Sequence, residues 1–221
     1  MKTKGLFITG TDTGVGKTYV AASIARELIN RGLNVGVMKP VETGCRVRNS
    51  QLVPCDSLAL IKSAGVRDPL SLVNPYRFRK PLAPAVAAAL EGKKVNPNKI
   101  LRSFQNLSIK HEIMIVEGAG GIMVPLSGKY LFLDLAATLR LPVLIVSRPG
   151  LGTVNHTILT IEALRKRRLK IAGVVINFAE DWTEGLAEKT NAAVIEALSG
   201  VKVLGTIRYK ASNFGHIVES L

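Results

Sequence analysis

The chain has 221 residues, 47% of them hydrophobic and 21% charged. That is apolar material enough for a packed core and excludes intrinsic disorder; one domain over 1–221 is expected, since chains divide only beyond roughly 250 residues. The formal net charge of +14 raises nucleic acid as a partner, because lysines and arginines that neutralise phosphates dominate such affinity.

The first apolar run, Leu6 to Thr9, passes into Gly10-Thr11-Asp12-Thr13-Gly14-Val15-Gly16-Lys17-Thr18 and then a helix-period segment, 18–30. Before that run, residues 1–5 show neither an h-region nor a cleavage site. The strand, loop and helix form a phosphate loop by their chemistry. Glycines turn successive N–H groups around an anion, the helix N-terminus adds its dipole, Lys17 reaches the outer phosphates and the Thr18 hydroxyl suits Mg²⁺. Gly10 lies one residue early for the commonest pattern, with Thr11 at the first glycine position, which separates this loop from those of motor-type and kinase-type nucleotidases. A second run, Asn34 to Met38, ends in Lys39-Pro40. A lysine at a strand end reads either as an ammonium beside the phosphates or as a solvated charge.

From 41 to 108 the pattern loosens under frequent prolines, with helical pieces expected at 56–64, 84–90 and 97–107. Cys45 and Cys55 lack a metal-like spacing and read as reduced, incidental thiols. Asp56 opens the first helical piece, as an N-cap or as a metal carboxylate. The run Ile113 to Val116 delivers Glu117-Gly118-Ala119-Gly120-Gly121. A carboxylate directly after four apolar residues is costly unless paired or bound to metal, and the glycines permit close backbone approach to a ligand.

Val143 to Ser147 precedes Gly152-Thr153-Val154-Asn155, which opens a helical segment running to Arg167. Its free N–H groups suit a carboxylate, although Thr153 reads equally as a plain N-cap. The densest basic cluster, Arg165 to Lys170, closes that segment, where cations complement the helix dipole. No aromatic platform is interleaved with it, so no nucleic-acid partner is expected. Ile171 to Ile176, a helical segment 184–198 and Val203 to Ile207 complete the series. No run approaches the roughly 20 apolar residues of a membrane span; a cytoplasmic protein without a membrane partner is expected. Near-continuous Val, Ile and Leu runs alternating with helices predict a doubly wound, mostly parallel α/β sheet, with ligand chemistry outside the strands' carboxyl ends.

The motifs, taken in order, resemble those of the dethiobiotin synthetases, within the P-loop NTPase-like folds. The resemblance rests on the phosphate loop, on Met38-Lys39-Pro40-Val41-Glu42-Thr43-Gly44, on Asp56-Ser57-Leu58-Ala59-Leu60 and on Val73-Asn74-Pro75-Tyr76-Arg77-Phe78. It continues through Val116-Glu117-Gly118-Ala119-Gly120-Gly121, Gly150-Leu151-Gly152-Thr153-Val154-Asn155-His156 and Gly173-Val174-Val175-Ile176-Asn177. It implies an ATP- and Mg²⁺-dependent ligase that closes a cyclic urea on 7,8-diaminononanoate with CO₂, through a carbamate and a carbamic-phosphoric anhydride. It further implies that Lys17 and Lys39 are catalytic and that Thr18, Asp56 and Glu117 hold Mg²⁺. Nucleotide contacts are implied for Thr13, Gly14, Val15, Gly16, Lys17, Thr18, Tyr19, Asp56, Glu117, Gly118, Ala119, Gly120, Asn177, Ile207, Arg208 and Tyr209. Substrate contacts are implied for Thr13, Lys39, Thr43 and, from the neighbouring subunit of a homodimer, Gly152, Thr153, Val154 and Asn155. Thr43 also reads as a turn residue.

Three positions depart from the family's commonest pattern. Gly14 stands where many relatives carry an acid, Phe178 follows Asn177, and Arg208-Tyr209 follows Ile207; the last two belong to the segments implied for the base. His111, His156 and His216 have no ligand-like spacing or carboxylate motif and read as surface or packing residues. Trp182 and Tyr209 are candidates for a base pocket or for packing. The competing readings are a cobyrinate-type amidoligase, which usually appends a glutamine-hydrolysing domain, and a ParA-like partitioning ATPase, whose loop carries an additional lysine where Thr11 and Asp12 stand.

Overall fold

The computed structural model describes residues 4–181 and 184–221; Trp182 lies outside them. The first part runs β1 (Lys4–Gly10), α1 (Lys17–Asn30), β2 (Val35–Met38), β3 (Val41–Glu42), β4 (Arg46–Arg48), β5 (Gln51–Val53) and α2 (Cys55–Ala64). The middle holds α3 (Leu70–Val73), β6 (Tyr76–Arg77), α4 (Pro84–Leu90), α5 (Pro97–Ser108), β7 (Ile113–Gly121), β8 (Pro125–Ser127) and β9 (Tyr130–Leu131). The last part is α6 (Phe132–Leu139), β10 (Val143–Ser147), α7 (Thr153–Lys166), β11 (Ile171–Asn177), α8 (Leu186–Ser199), β12 (Val203–Ile207) and α9 (Gly215–Glu219).

Six strands form one sheet in the order β12-β11-β10-β1-β7-β2, and every neighbouring pair is parallel. Parallel strands need crossovers, and the helices that supply them bury the sheet. Accordingly Phe7, Ile8, Met114, Ile115, Val116, Leu144 and Ile145 are all fully buried. α1 packs on β1, β2 and β7, while α7 packs on β10 and α8 on β12. The chain leaves β1 first towards β2 and β7 and later towards β10, so β1 lies at a topological switch point whose crevice opens at its carboxyl end. Close packing of β1 on β7 depends on Gly5, where a Cβ would come 2.0 Å from the Met114 carbonyl oxygen.

The expected sheet strands are all present, and α7 ends with Arg165 and Lys166 in its last turn, as the dipole argument requires. β7 differs, running on to Gly121 because Gly10 still pairs with Gly121 beyond a register shift in which β7 carries the extra residues. α6 is also additional; Asp134 accepts from the Leu131 N–H (2.9 Å) at its start, and Phe132, Leu133, Leu135, Ala136 and Leu139 are buried beneath it. Among the described residues no helix is long and apolar enough to cross a membrane.

Candidate active site

At the crevice beyond β1, Gly16 takes a left-handed conformation (φ 84°) and no side chain caps α1, leaving its first N–H groups directed into the loop. Asn177, at the end of β11, braces that loop by donating from Nδ2 to the Val15 carbonyl at 3.0 Å. A Cβ on Gly16 would lie 2.1 Å from that Nδ2, so only glycine fits. Lys17 is buried, with its ammonium donating to the Asp12 carbonyl at 2.8 Å.

Four elements then deliver polar groups to one point. The Lys39 ammonium, at the end of β2, lies 2.9 Å from Asp56 Oδ2 on α2 and 2.5 Å from Glu117 Oε1 on β7. Thr18, in the first turn of α1, donates to the same Glu117 oxygen at 2.8 Å. Lys39 is anchored on both sides, its N–H donating to the Val73 carbonyl at 2.8 Å and its carbonyl accepting from Asn74 Nδ2 at 2.8 Å. Asp56 is partly exposed, whereas Glu117 is 0% exposed and its Oε2 has no hydrogen-bond partner among the described residues.

Burial raises the pKa of Glu117 against the pull of Lys39. Burial alone would depress Lys39, but the two carboxylates outweigh it and hold the ammonium above its usual range. Lys17 has no such direct partner; burial, and then the charge on Lys39, bring it down to about 8. Among the described residues no three His, Cys, Asp or Glu side chains form a metal cluster. A hard cation that keeps waters needs only one or two carboxylates beside substrate phosphates. The unpaired buried oxygen of Glu117, the Asp56 carboxylate and the Thr18 hydroxyl are oxygen donors of that kind, and they fit Mg²⁺.

These groups line a cavity of about 620 Å³ that also includes Thr13, Gly14, Gly16, Lys17, Thr43, Ala119 and Gly120. Several sequence candidates stand elsewhere. Val15 is buried, and Gly118 is buried close to Phe7 and Phe132 and does not line the cavity. The Tyr19 hydroxyl turns away to donate to the Ala211 carbonyl, with its ring edge-on to Phe214 at 5.7 Å. Arg208 and Tyr209 line a separate hollow with Phe178, Asp181 and Lys210. There Arg208 is paired with Glu184 at 2.6 Å and lies over the Phe178 ring at 5.1 Å. Gly152 to Asn155 do not line the cavity.

Three expectations are corrected. Asp56 is not the N-cap of its helix: Pro54 holds that position, and Glu42 on β3 takes over the free N–H groups. Thr153 is not a cap either, since Gly152 is at the N-cap and the buried Thr153 hydroxyl has no partner among the described residues. His111 does have a carboxylate partner, Asp68 at 2.7 Å, with Asn34 Oδ1 at 2.6 Å from its other ring nitrogen. Glu42, Pro81, Leu82, Ala83, Pro84 and Val124 also line the cavity, beyond the candidates drawn from the sequence. Of these, Glu42 carried a signal in the sequence, an acid three residues after Lys39 and directly after Val41.

A family model described as an AAA domain matches residues 4–213. The chain is 44% identical over 212 residues to the ATP-dependent dethiobiotin synthetase BioD of Thermodesulfovibrio yellowstonii, covering 93% of this chain and 88% of that protein. It is 40% identical over 207 residues to the protein of the same name from Methanocaldococcus jannaschii, covering 92% and 93%. The chain belongs to the dethiobiotin synthetase family. It is thus an enzyme of the ligase type, and dethiobiotin synthetases from a bacterium and an archaeon match it almost end to end. Among solved structures, the cell division ATPase MinD of Pyrococcus furiosus superposes with a TM-score of 0.57 at 18% identity, covering 100% of this chain and 98% of that one. The signal recognition particle receptor FtsY of Elizabethkingia anophelis gives 0.53 at 14% identity, covering 99% and 65%. At those identities the likeness is one of fold, the P-loop α/β sheet, which this dethiobiotin synthetase family member shares with them.

Proposed function

We propose that this enzyme closes the ureido ring of dethiobiotin on 7,8-diaminononanoate, using CO₂ and ATP with Mg²⁺ and releasing ADP and phosphate. The observation that carries the reading is the meeting of Lys39, Asp56, Glu117 and Thr18 in one cavity with Lys17 and the phosphate loop.

In the first step one substrate amine adds to CO₂ and loses a proton, giving a carbamate. A carbamate oxygen then attacks the γ-phosphorus of ATP, the bond to ADP breaks, and a carbamic-phosphoric anhydride forms. The second amine attacks the anhydride carbon, phosphate leaves and the ring closes with loss of a proton. The carbamate, the triphosphate and the phosphoryl group of the anhydride all carry negative charge, so catalysis is chiefly positioning and charge stabilisation. Lys39 stays charged because Glu117 and Asp56 hold its proton, and it serves the carbamate and the transferring phosphoryl group. Lys17, in the loop, serves the outer phosphates. Thr18, Asp56 and Glu117 would hold Mg²⁺, which would supply charge neutralisation at the phosphates. Backbone N–H groups of 13–18 enclose the triphosphate, and the Thr43 hydroxyl contacts the diamine.

The helix start at Gly152 to Asn155 lies away from the chain's own cavity, and Leu151 beside it is 90% exposed. Both features support a homodimer in which this segment receives the substrate's acid tail in the neighbouring subunit. Base recognition falls to Asn177 and to the hollow at Arg208 and Tyr209.

Phosphate release with ATP and Mg²⁺ is the test, adding diaminononanoate, bicarbonate or DNA in turn. Release that depends on diamine and bicarbonate together is the expected result, with Lys39→Ala lowering turnover by orders of magnitude. Stimulation by DNA alone would instead support the partitioning reading.

A further inference from the structure

Helix α2 carries Asp56 in its first turn but has no cap of its own, since Pro54 stands at the N-cap and no α2 side chain accepts there. Its leading N–H groups are satisfied from another element. Glu42 Oε1 accepts from the Asp56 N–H at 2.9 Å, and Oε2 accepts from the Ser57 N–H at 3.0 Å and from the Ser57 hydroxyl at 2.6 Å. Both carboxylate oxygens are thereby occupied. Glu42 is only 4% exposed, yet it lines the cavity with Lys39 and Asp56.

We propose that Glu42 is a positioning residue: it docks the start of α2 against β3 and so sets the Asp56 carboxylate where Lys39 and a divalent cation meet it. The chain geometry explains why it is able to. Glu42 follows Lys39 by three residues, and the pairing of β3 with β6, Val41 to Tyr76 and Glu42 to Arg77, fixes the segment between them. The Phe78 N–H adds a bond to the Glu42 carbonyl at 2.9 Å. One short stretch thus presents the ammonium that Asp56 pairs with and the carboxylate that places Asp56. An anion also suits the positive end of a helix, so the contact is favourable at the N–H groups it reaches. Asp56 itself is bound by one ion pair and is 43% exposed; without the dock its position would rest on a bond that solvent screens.

The inference rests on the reading of Asp56 as a metal carboxylate. Partners that orient metal ligands typically change metal affinity by roughly 10- to 100-fold when lost, and a change in that range is expected for Glu42→Ala. The probe is Mn²⁺ titrated into the ADP-bound protein, read by water-proton relaxation, which needs no turnover. ADP binding without metal, measured in parallel, should be unchanged, because the phosphate loop is untouched. Ser57→Ala, which removes one of the three bonds and no charge, should give a smaller weakening in the same direction and serves if Glu42→Ala does not fold. Glu42→Asp, one methylene short, should fall between Glu42→Ala and the natural protein. Mn²⁺ affinity equal to that of the natural protein in folded Glu42→Ala or Ser57→Ala, with only the melting temperature lowered, would make Glu42 a structural cap and overturn the inference. Failure of the natural protein to bind Mn²⁺ beside ADP would instead overturn the metal reading beneath it.

Discussion

Replacing Lys39 by methionine removes the cation that, alone among the described residues, is paired with the 0%-exposed Glu117 carboxylate, while roughly keeping the volume. Breaking a buried pair from one side costs about 3–5 kcal/mol, because the remaining charge is left in the core. The lost bond to Asp56 adds little: that carboxylate is 43% exposed, and screened pairs contribute about 0–1 kcal/mol. For a domain of this size each kcal/mol moves the melting temperature by roughly 2–4 °C, so the metal-free variant should melt about 6–20 °C below the natural protein at pH 8. Burial already raises Glu117, and loss of Lys39 raises it further. A group raised in the folded state favours folding at low pH and loses that contribution as the pH rises through its folded value. The deficit should therefore shrink between pH 8 and pH 5. Adding Glu117→Gln to Lys39→Met removes the stranded charge and should recover part of the loss. Calorimetry at both pH values decides it: a single variant melting within 2 °C of the natural protein (roughly 1 kcal/mol), or a double variant no more stable than the single, would refute the account of Glu117 as a buried, paired carboxylate.

Other outcomes follow from individual groups. With Lys17 at about 8 and its charged form binding phosphate, metal-free nucleotide affinity should fall roughly tenfold from pH 7 to pH 9, checked by fluorescence titration; a flat profile would remove Lys17 from the phosphate contact. Gly16→Ala meets both a left-handed backbone and Asn177 Nδ2 at 2.1 Å, and should abolish nucleotide binding, read by the same titration. Cys45 is buried and its thiol is pushed up to about 12 by burial and by Glu42. Iodoacetamide at pH 8.5 should therefore label the exposed Cys55 and spare Cys45, as read by peptide mass.

The strands were legible in the chain because a strand covered on both faces declares itself by an unbroken apolar run; Val143 to Ser147 and Val203 to Ile207 match to the residue. The phosphate loop was legible because its requirements are local, glycines at strained dihedrals followed by Lys17 and Thr18. The short pairs β3–β6, β4–β5 and β8–β9 were not, since two or three residues carry too little periodicity to separate a strand from a turn.

The amino-acid order by itself determined the parallel α/β architecture, the phosphate loop and the ordered motifs of a dethiobiotin synthetase, because each is written in neighbouring residues. Only the tertiary structure decided that Glu117 meets Lys39 across 78 residues and Thr18 across 99, that Glu42 rather than Asp56 caps α2, and that Asp68 finds His111. Those pairings depend on which strands lie side by side and where their ends fall. Sheet order is set by long-range packing of whole elements, to which no local stretch of the chain holds the key.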